Sequence, residues 1–333
     1  MHLSSAMTPS GSIAVRLSLL LAGAIALLPL QASADDEVHR MLKKMVEAVH
    51  GLTYEGTFVY LHDNQLESMR VVHTLKEDGE RERLISLNGA AREVVRDNAS
   101  VTCIAPDARS VSVGKRILGR SFRAVFSMDT SQLADIYDFK ILGQDRVANR
   151  PAKVVAIFPR DHYRYGYRVY LDEEYGLPLK TDMLDAAGEA VSQVMFTHLN
   201  ISPDIEDRAE TTLEGKELYR WEQRNPTQKR MPVEKSEWAF NDLPPGFSLS
   251  IHTRRNSGKE GGGFDHYAFT DGLASLSVYI EKSGKQSGLN GSSRMGAVNA
   301  YGSLFQDHQV TAVGEVPVDT VKRVAGSVSR ITK

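Results

Sequence analysis

The sequence predicts an α+β protein made mostly of antiparallel β structure: a curled half-barrel with a packed helix, then a smaller antiparallel β domain with a C-terminal helix. Three observations carry this. About ten short alternating segments run from residue 53 to residue 199, separated by turn residues and few helical periods. One amphipathic helical stripe precedes them. A charged stretch over residues 202–234 then separates them from a second, shorter run of strands. An antiparallel meander of that length must curl to hide its apolar face, and the preceding helix is the element to lie in its hollow.

The chain opens with an export signal. Arg16 precedes an uncharged apolar stretch, Leu17 to Leu30, broken at Pro29 and followed by Ala32-Ser33-Ala34. Its length, about 14 residues, suits a signal h-region and falls short of a bilayer span. Cleavage is expected after Ala34, and no Cys follows to take a lipid. Val38, Met41, Leu42, Met45, Val46 and Val49 form the helical stripe that Gly51 closes. Strands follow at Thr53–Leu61, Met69–Leu75, Leu84–Leu87, Glu93–Val95, Ser100–Ile104 and Ser110–Val113. A helical turn is expected over Met128–Tyr137. Strands return at Phe139–Leu142, Val154–Phe158, Tyr165–Leu171, Leu179–Leu184 and Val191–Leu199.

The stretch 202–234 is crowded with charge and poor in large apolar residues, which reads as a solvated connector with a short helix at Gly215–Trp221. Beyond it, strands are expected at Phe247–His252, His266–Thr270, Leu273–Glu281, Gly296–Leu304 and Gln309–Val313, then a helix over Pro317–Val328. The Gly-rich segments Ser257–Gly263 and Ser283–Gly296 read as loops. The expected organisation is a signal at 1–34, a half-barrel at 35–201, a linker at 202–234 and a C-terminal domain at 235–333.

Composition narrows the function. Lys and Arg number 40 against 42 Asp and Glu, so the positive excess that a nucleic-acid partner requires is missing. The single cysteine, Cys103, excludes an intramolecular disulfide, and its apolar strand setting reads as a small buried hydrophobe. No metal-ligand cluster, phosphate-cradling loop or nucleophile elbow is present, so no cofactor, metal or catalytic set is expected. Ser112-Val113-Gly114-Lys115, with Ser86-Leu87-Asn88 and Lys282-Ser283-Gly284, imitates penicillin-binding motifs. A strand, however, puts Ser112 and Lys115 on opposite faces, and the motif order is reversed.

Binding is what remains. Tyr163-Arg164-Tyr165-Gly166-Tyr167-Arg168-Val169-Tyr170 alternates, with Tyr163, Tyr165 and Tyr167 on one face and Arg164 and Arg168 on a wet one. A curled sheet partly filled by a helix leaves an apolar groove for an acyl chain or peptide; a fully packed sheet is the alternative. Pattern alone picks Phe58, Tyr60, Tyr165 and Tyr167 for such a groove. Arg116, Arg120 and Arg123, interleaved with Ile117, Leu118 and Phe122, suit an anionic headgroup. Tyr267, Phe269 and Tyr279 are the candidates for a face that takes a partner peptide.

Several motifs carry a family resemblance. Leu171-Asp172-Glu173-Glu174-Tyr175-Gly176-Leu177-Pro178-Leu179-Lys180 looks like the strand–turn–strand of periplasmic lipoprotein-carrier folds. Tyr54-Glu55-Gly56-Thr57-Phe58-Val59-Tyr60, the run Phe269-Thr270-Asp271-Gly272-Leu273-Ala274-Ser275 continuing to Glu281, and Arg294 to Tyr301 together resemble the RseB/MucB family. The likeness runs from the signal to the last helix, and Asp-Gly-Leu-Ala-Ser is its most specific part. It implies a lipoprotein-carrier-like half-barrel with a cavity for lipid. It further implies a periplasmic regulator whose smaller domain and connector bind the periplasmic region of an RseA/MucA-type anti-sigma factor. Bound there, the protein would shield that region from the site-1 protease and silence the envelope-stress sigma factor. Lipid or lipopolysaccharide would release it, a homo-oligomer being one possible form. The resemblance brings no catalytic residue. The alternative reading is a periplasmic lipoprotein or lipid carrier, which has no need of a second domain.

Overall fold

The computed structural model describes residues 30–76, 79–115, 133–205, 219–224, 229–230, 236–255, 263–284 and 288–331. Helix α1 spans Leu30–Gly51, beginning ahead of the expected cleavage point. Its buried residues Val38, Leu42, Met45 and Val49 belong to the stripe read from the sequence, and Ala48 joins them. No helix among the described residues is long and apolar enough to cross a membrane.

Twelve strands form the first sheet. They are β1 (Tyr54–His62), β2 (Gln65–Lys76), β3 (Gly79–Ser86), β4 (Glu93–Arg96), β5 (Ser100–Ala105), β6 (Ser110–Lys115), β7 (Tyr137–Val147), β8 (Arg150–Pro159), β9 (Gly166–Asp172), β10 (Pro178–Leu184), β11 (Ala190–Ile201) and β12 (Arg220–Arg224). Their order is β12-β6-β5-β4-β3-β2-β1-β11-β10-β9-β8-β7. Two antiparallel meanders, β1–β6 and β7–β11, are thus sewn together where β1 runs antiparallel to β11, from Tyr54↔Ile201 to His62↔Ser192. Among the described residues β7 and β12 remain as edges, so the sheet curls without closing.

Glycine is required at two points of the motifs that carried the resemblance. A Cβ on Gly56 would stand 2.6 Å from the His198 carbonyl oxygen and 2.8 Å from the Phe196 ring, beside the register shift at Thr57/Phe58. Gly176 has φ +80°, and its Cβ would stand 2.8 Å from the Lys44 side chain. That turn is held from both sides. Asp172 accepts the Tyr175 amide at 2.8 Å and Arg150 Nε at 2.6 Å, while Lys44 of α1 donates to the Glu174 carbonyl at 2.6 Å.

The second sheet has the order β13-β15-β16-β17-β20-β19-β18. Its members are β13 (Lys229–Arg230), β15 (Ser248–Arg255), β16 (Phe264–Thr270), β17 (Ser275–Lys282), β18 (Gly291–Met295), β19 (Val298–Phe305) and β20 (His308–Gly314). Helix α2 (Val318–Gly326) lays Val321, Val324 and Ala325 on a core that includes Leu276, Val278, Ile280, Val310 and Ala312. A ribbon of β14 (Trp238–Phe240) and β21 (Val328–Arg330) completes this part.

Several expectations need correction. The connector is not wholly irregular: β12 pairs in parallel with β6, and β13 joins the second sheet. Trp221 therefore lies in a strand and not in a helix, because a β-sheet edge at β6 was there to accept it. Tyr137 opens β7, and of the turn expected over Met128–Tyr137 only residues from 133 onward are described. The segment Ser283–Gly296 contains β18, and residues 256–262 of the other Gly-rich segment lie outside the described residues. Cys103 is exposed, not a buried hydrophobe. Its neighbour Ile104 takes the buried face of β5 instead.

Candidate functional site

The concave face of the first sheet is unevenly covered. On it Val155, Ile157, Tyr167, Val169, Leu171 and Leu179 belong to one buried cluster with the stripe of α1. The register continues the same face in the other direction through Gly56↔Val71, Val71↔Leu84, Leu84↔Val94, Val94↔Cys103 and Cys103↔Ser112. Val71 is buried, Leu84 and Val94 are half-buried, and Cys103 is exposed. Among the described residues the hollow is thus filled over β7–β11 and open over β3–β6.

Of the four residues picked for a groove, Tyr167 lies on β9 and Tyr165 just before it, while Phe58 and Tyr60 lie on β1. Phe58 is half-buried, edge-on to Phe196 at 5.8 Å. Tyr60 stands 4.6 Å from the His62 ring, and desolvation pushes its hydroxyl above the usual range. Tyr165 and Tyr167 are both buried, and burial pushes both hydroxyls upward, Tyr167 strongly. One carboxylate, Glu315 from the second domain, acts on Tyr60, Tyr165 and Tyr167 alike. Solvent reaches Glu315, yet desolvation by the surrounding protein raises its own carboxyl pKa.

Tyr165 and Tyr167 therefore face the other domain and not open solvent. The Tyr165 hydroxyl accepts Asn299 Nδ2 at 3.0 Å, and the same amide donates to the Val316 carbonyl at 2.8 Å. The preceding residues continue the junction. Thr320 Oγ1 donates to the Tyr163 carbonyl at 2.6 Å, and Arg323 donates to the Tyr163 hydroxyl and to Asp242. The wet face expected for Arg164 does not exist, because β9 starts at Gly166 and the alternation does not reach back to it. Arg164 and Asp271 side chains are both 0% exposed and meet at 2.8 Å. Arg164 also donates to the Pro245 carbonyl at 2.5 Å and lies over the rings of Tyr137 and Phe247, at 5.5 and 5.1 Å.

Asp271 is the centre of this contact. Its Oδ1 accepts the amides of Leu273 and Ala274, at 2.8 and 2.7 Å, and its Oδ2 accepts the Tyr137 hydroxyl at 2.9 Å as well as Arg164. Leu273 packs into the core of the first domain and Ala274 into that of the second. One four-residue turn, Asp271 to Ala274, thus anchors both cores. Sequence reading saw Asp271-Gly272 only as a turn; the surviving signal was the specificity of Asp-Gly-Leu-Ala-Ser.

The other candidates fare differently. Arg116, Arg120 and Arg123 lie outside the described residues. Tyr267 and Phe269 are core residues, in contact with Phe240 at 4.9 and 4.7 Å. Tyr279 stacks on His266 at 4.5 Å on the opposite face of the sheet. The three do not make one surface, because the alternation that grouped them cannot say which face the core takes. Ser112 and Lys115 both belong to strand β6 and not to a helix. No group of three His, Cys, Asp or Glu among the described residues is placed to hold a metal.

Residues 37–213 match the MucB/RseB N-terminal domain, and residues 232–329 match the MucB/RseB C-terminal domain. The chain belongs to the MucB/RseB family. It is 34% identical over 326 residues to the sigma factor AlgU regulatory protein MucB of Pseudomonas aeruginosa, covering 93% of this chain and 96% of the relative. The structure of the Pseudomonas aeruginosa MucA/MucB complex is similar with a TM-score of 0.70 at 31% identity, over 89% of this chain and all of that one. A crystal structure of MucB in complex with MucA(peri) gives 0.67 at 30% identity, with the same coverage. The Arg164–Asp271 contact joins residues from the two MucB/RseB domain matches, so both domains are needed to build it.

Proposed function

We propose that this protein is a periplasmic regulator that binds the periplasmic region of an inner-membrane, MucA-type anti-sigma factor. Bound, it shields that region from site-1 proteolysis and keeps an envelope-stress sigma factor silent. The observation that carries this reading is likeness along the full length, both domains in order, to a sigma-factor regulatory protein and to chains solved in complex with MucA. The signal at 1–34, cleaved after Ala34, delivers the chain to that compartment. In this reading residues 35–201 sense lipid and residues 235–333 hold the anti-sigma factor, while the connector tethers them.

Lipid or lipopolysaccharide is the releasing signal. The open apolar face over β3–β6 supports this part, since a concave apolar surface suits an acyl chain. Release then requires that lipid favour a state that binds the anti-sigma factor poorly. The test is retention of the purified mature chain on the periplasmic peptide of a candidate anti-sigma factor, with cleavage of that peptide followed alongside. Binding and slowed cleavage are expected, both reversed by lipopolysaccharide. Neither binding nor protection overturns the regulatory reading, and binding indifferent to lipid overturns the sensing half.

A further inference from the structure

Two polar groups at the domain junction have neither a hydrogen bond nor an ion pair among the described residues: the Glu315 carboxylate and the Tyr167 hydroxyl. Glu315 lies between β20 and α2. Gly314, before it, pairs with Asn299 of β19. The Asn299 amide donates to the Tyr165 hydroxyl at 3.0 Å and to the carbonyl of Val316, the residue after Glu315, at 2.8 Å. The Glu315 backbone is thereby pinned beside Tyr165, and its charge acts on Tyr60, Tyr165 and Tyr167 together. The rings belong to the first domain and the carboxylate to the second. Tyr165 and Tyr167 are 7% and 5% exposed, while solvent reaches Glu315. A wall of buried phenols thus ends at an accessible carboxylate.

The charges around this point select the occupant. Asp63 and Glu67 act on Tyr60, Asp185 on Tyr165 and Asp271 on Tyr167, all with the sign of Glu315. The basic groups nearby are engaged elsewhere. Arg164 holds Asp271 at 2.8 Å, and His62 lies 3.6 Å from Glu67. Arg294, which also acts on Tyr165, donates its Nε to the Gly296 carbonyl at 2.9 Å. Glu315 is therefore desolvated with no cation to compensate it, and its carboxyl pKa rises accordingly. An anion is repelled here, and an uncharged ligand leaves the carboxylate unpaired.

We infer that Glu315, Tyr60, Tyr165 and Tyr167 form a cation pocket between the two domains, which takes the side chain of an arginine carried by a partner polypeptide. A guanidinium can fork onto the carboxylate, donate to the unpaired Tyr167 oxygen and lie against phenol faces. A lysine ammonium offers the carboxylate only a point charge. Since each domain supplies part of the wall, an arginine held there also holds the domains together. Only the identity of the partner, the anti-sigma region, rests on the regulatory reading above.

The test is titration of the mature chain with N-acetylarginine amide, and with its neutral isostere N-acetylcitrulline amide, followed by NMR of the tyrosine rings. The arginine probe should shift Tyr60, Tyr165 and Tyr167 saturably, less so as salt rises. The citrulline probe should not, and Glu315→Gln should lose the response while remaining folded. No shift, an equal shift with citrulline or an unchanged response in E315Q overturns the pocket. If E315Q does not fold, Tyr167→Phe must weaken the arginine response, and no weakening overturns the pocket. On the periplasmic peptide of a candidate anti-sigma factor, E315Q should be retained about tenfold more weakly than the unsubstituted chain. Equal retention overturns the assignment of that partner to the pocket. A peptide that binds neither protein counts against the regulatory reading alone, because the arginine probe judges the pocket without it.

Discussion

The two halves of the twelve-stranded sheet use one backbone plan and opposite packing. Over β7–β11 both faces of a strand such as β9 are covered, with Val169, Tyr170 and Leu171 buried in succession. Over β3–β6, of the residues on the same face, Leu84 and Val94 are half-buried and Cys103 is exposed. The first half owes its cover to α1 and to the second domain, because Leu273 and Ala297 sit in the same cluster as Leu42 and Val155. The second half is covered on the other face instead, where Ile104 and Val111 are buried. Burial is thus divided along one sheet: the half that meets α1 and the second domain is buried on both faces, and among the described residues the other half is buried on one.

The largest expected effect falls at the junction that covers the packed half. Asp271→Ala leaves Arg164 charged, buried and without its carboxylate, and should cost about 3–5 kcal/mol in urea unfolding. A cost below about 1 kcal/mol would mean that water enters the junction freely. Next comes a matched pair. Leu42→Ala in the packed half should cost about 2–5 kcal/mol, and since Ala is the better helix former the loss reports packing alone. Val94→Ala in the open half should cost about 1 kcal/mol or less while weakening lipid binding. Equal costs for the two would erase the contrast between the halves. The smallest effect is expected at Glu315, whose carboxyl pKa is raised by desolvation. A raised folded pKa stabilises below the unfolded value and loses that contribution as pH rises. Glu315→Gln should therefore raise the melting temperature at pH 7.5 and lose this advantage near pH 4. A difference that does not change between those pH values would mean that the fold does not desolvate Glu315.

Most of the packed half was legible in the sequence. The α1 stripe has a period of its own, and turn residues such as Asn88-Gly89 punctuate the meander. What escaped is what depends on partners remote in the chain. Arg164 looked wet because alternation is a rule for strands, and Arg164 stands just outside one. Tyr267 and Phe269 share the core side of β16, which alternation does not reveal, since period two fixes a pair of faces without naming the inner one. Strand β12 carries a charged sequence with no strand pattern, and its parallel pairing with β6 leaves no local trace. Asp271 escaped for the opposite reason: Asp-Gly is so common in turns that its second duty, across to Arg164, was masked.

The pairing of β1 with β11 also governs the order in which the molecule can assemble. Strands β2 to β6 follow β1 by short connections, whereas Tyr54 meets Ile201 only after both meanders have been made. The entropy of closing that long loop must be met before the seam yields any contact, which makes the step slow. Until β11 arrives, β1 presents an unpaired edge carrying Phe58 and Tyr60, open to any other extended chain. A newly made molecule thus passes through an interval in which its own seam strand is open to pairing. The last strand of the second meander is what ends that interval.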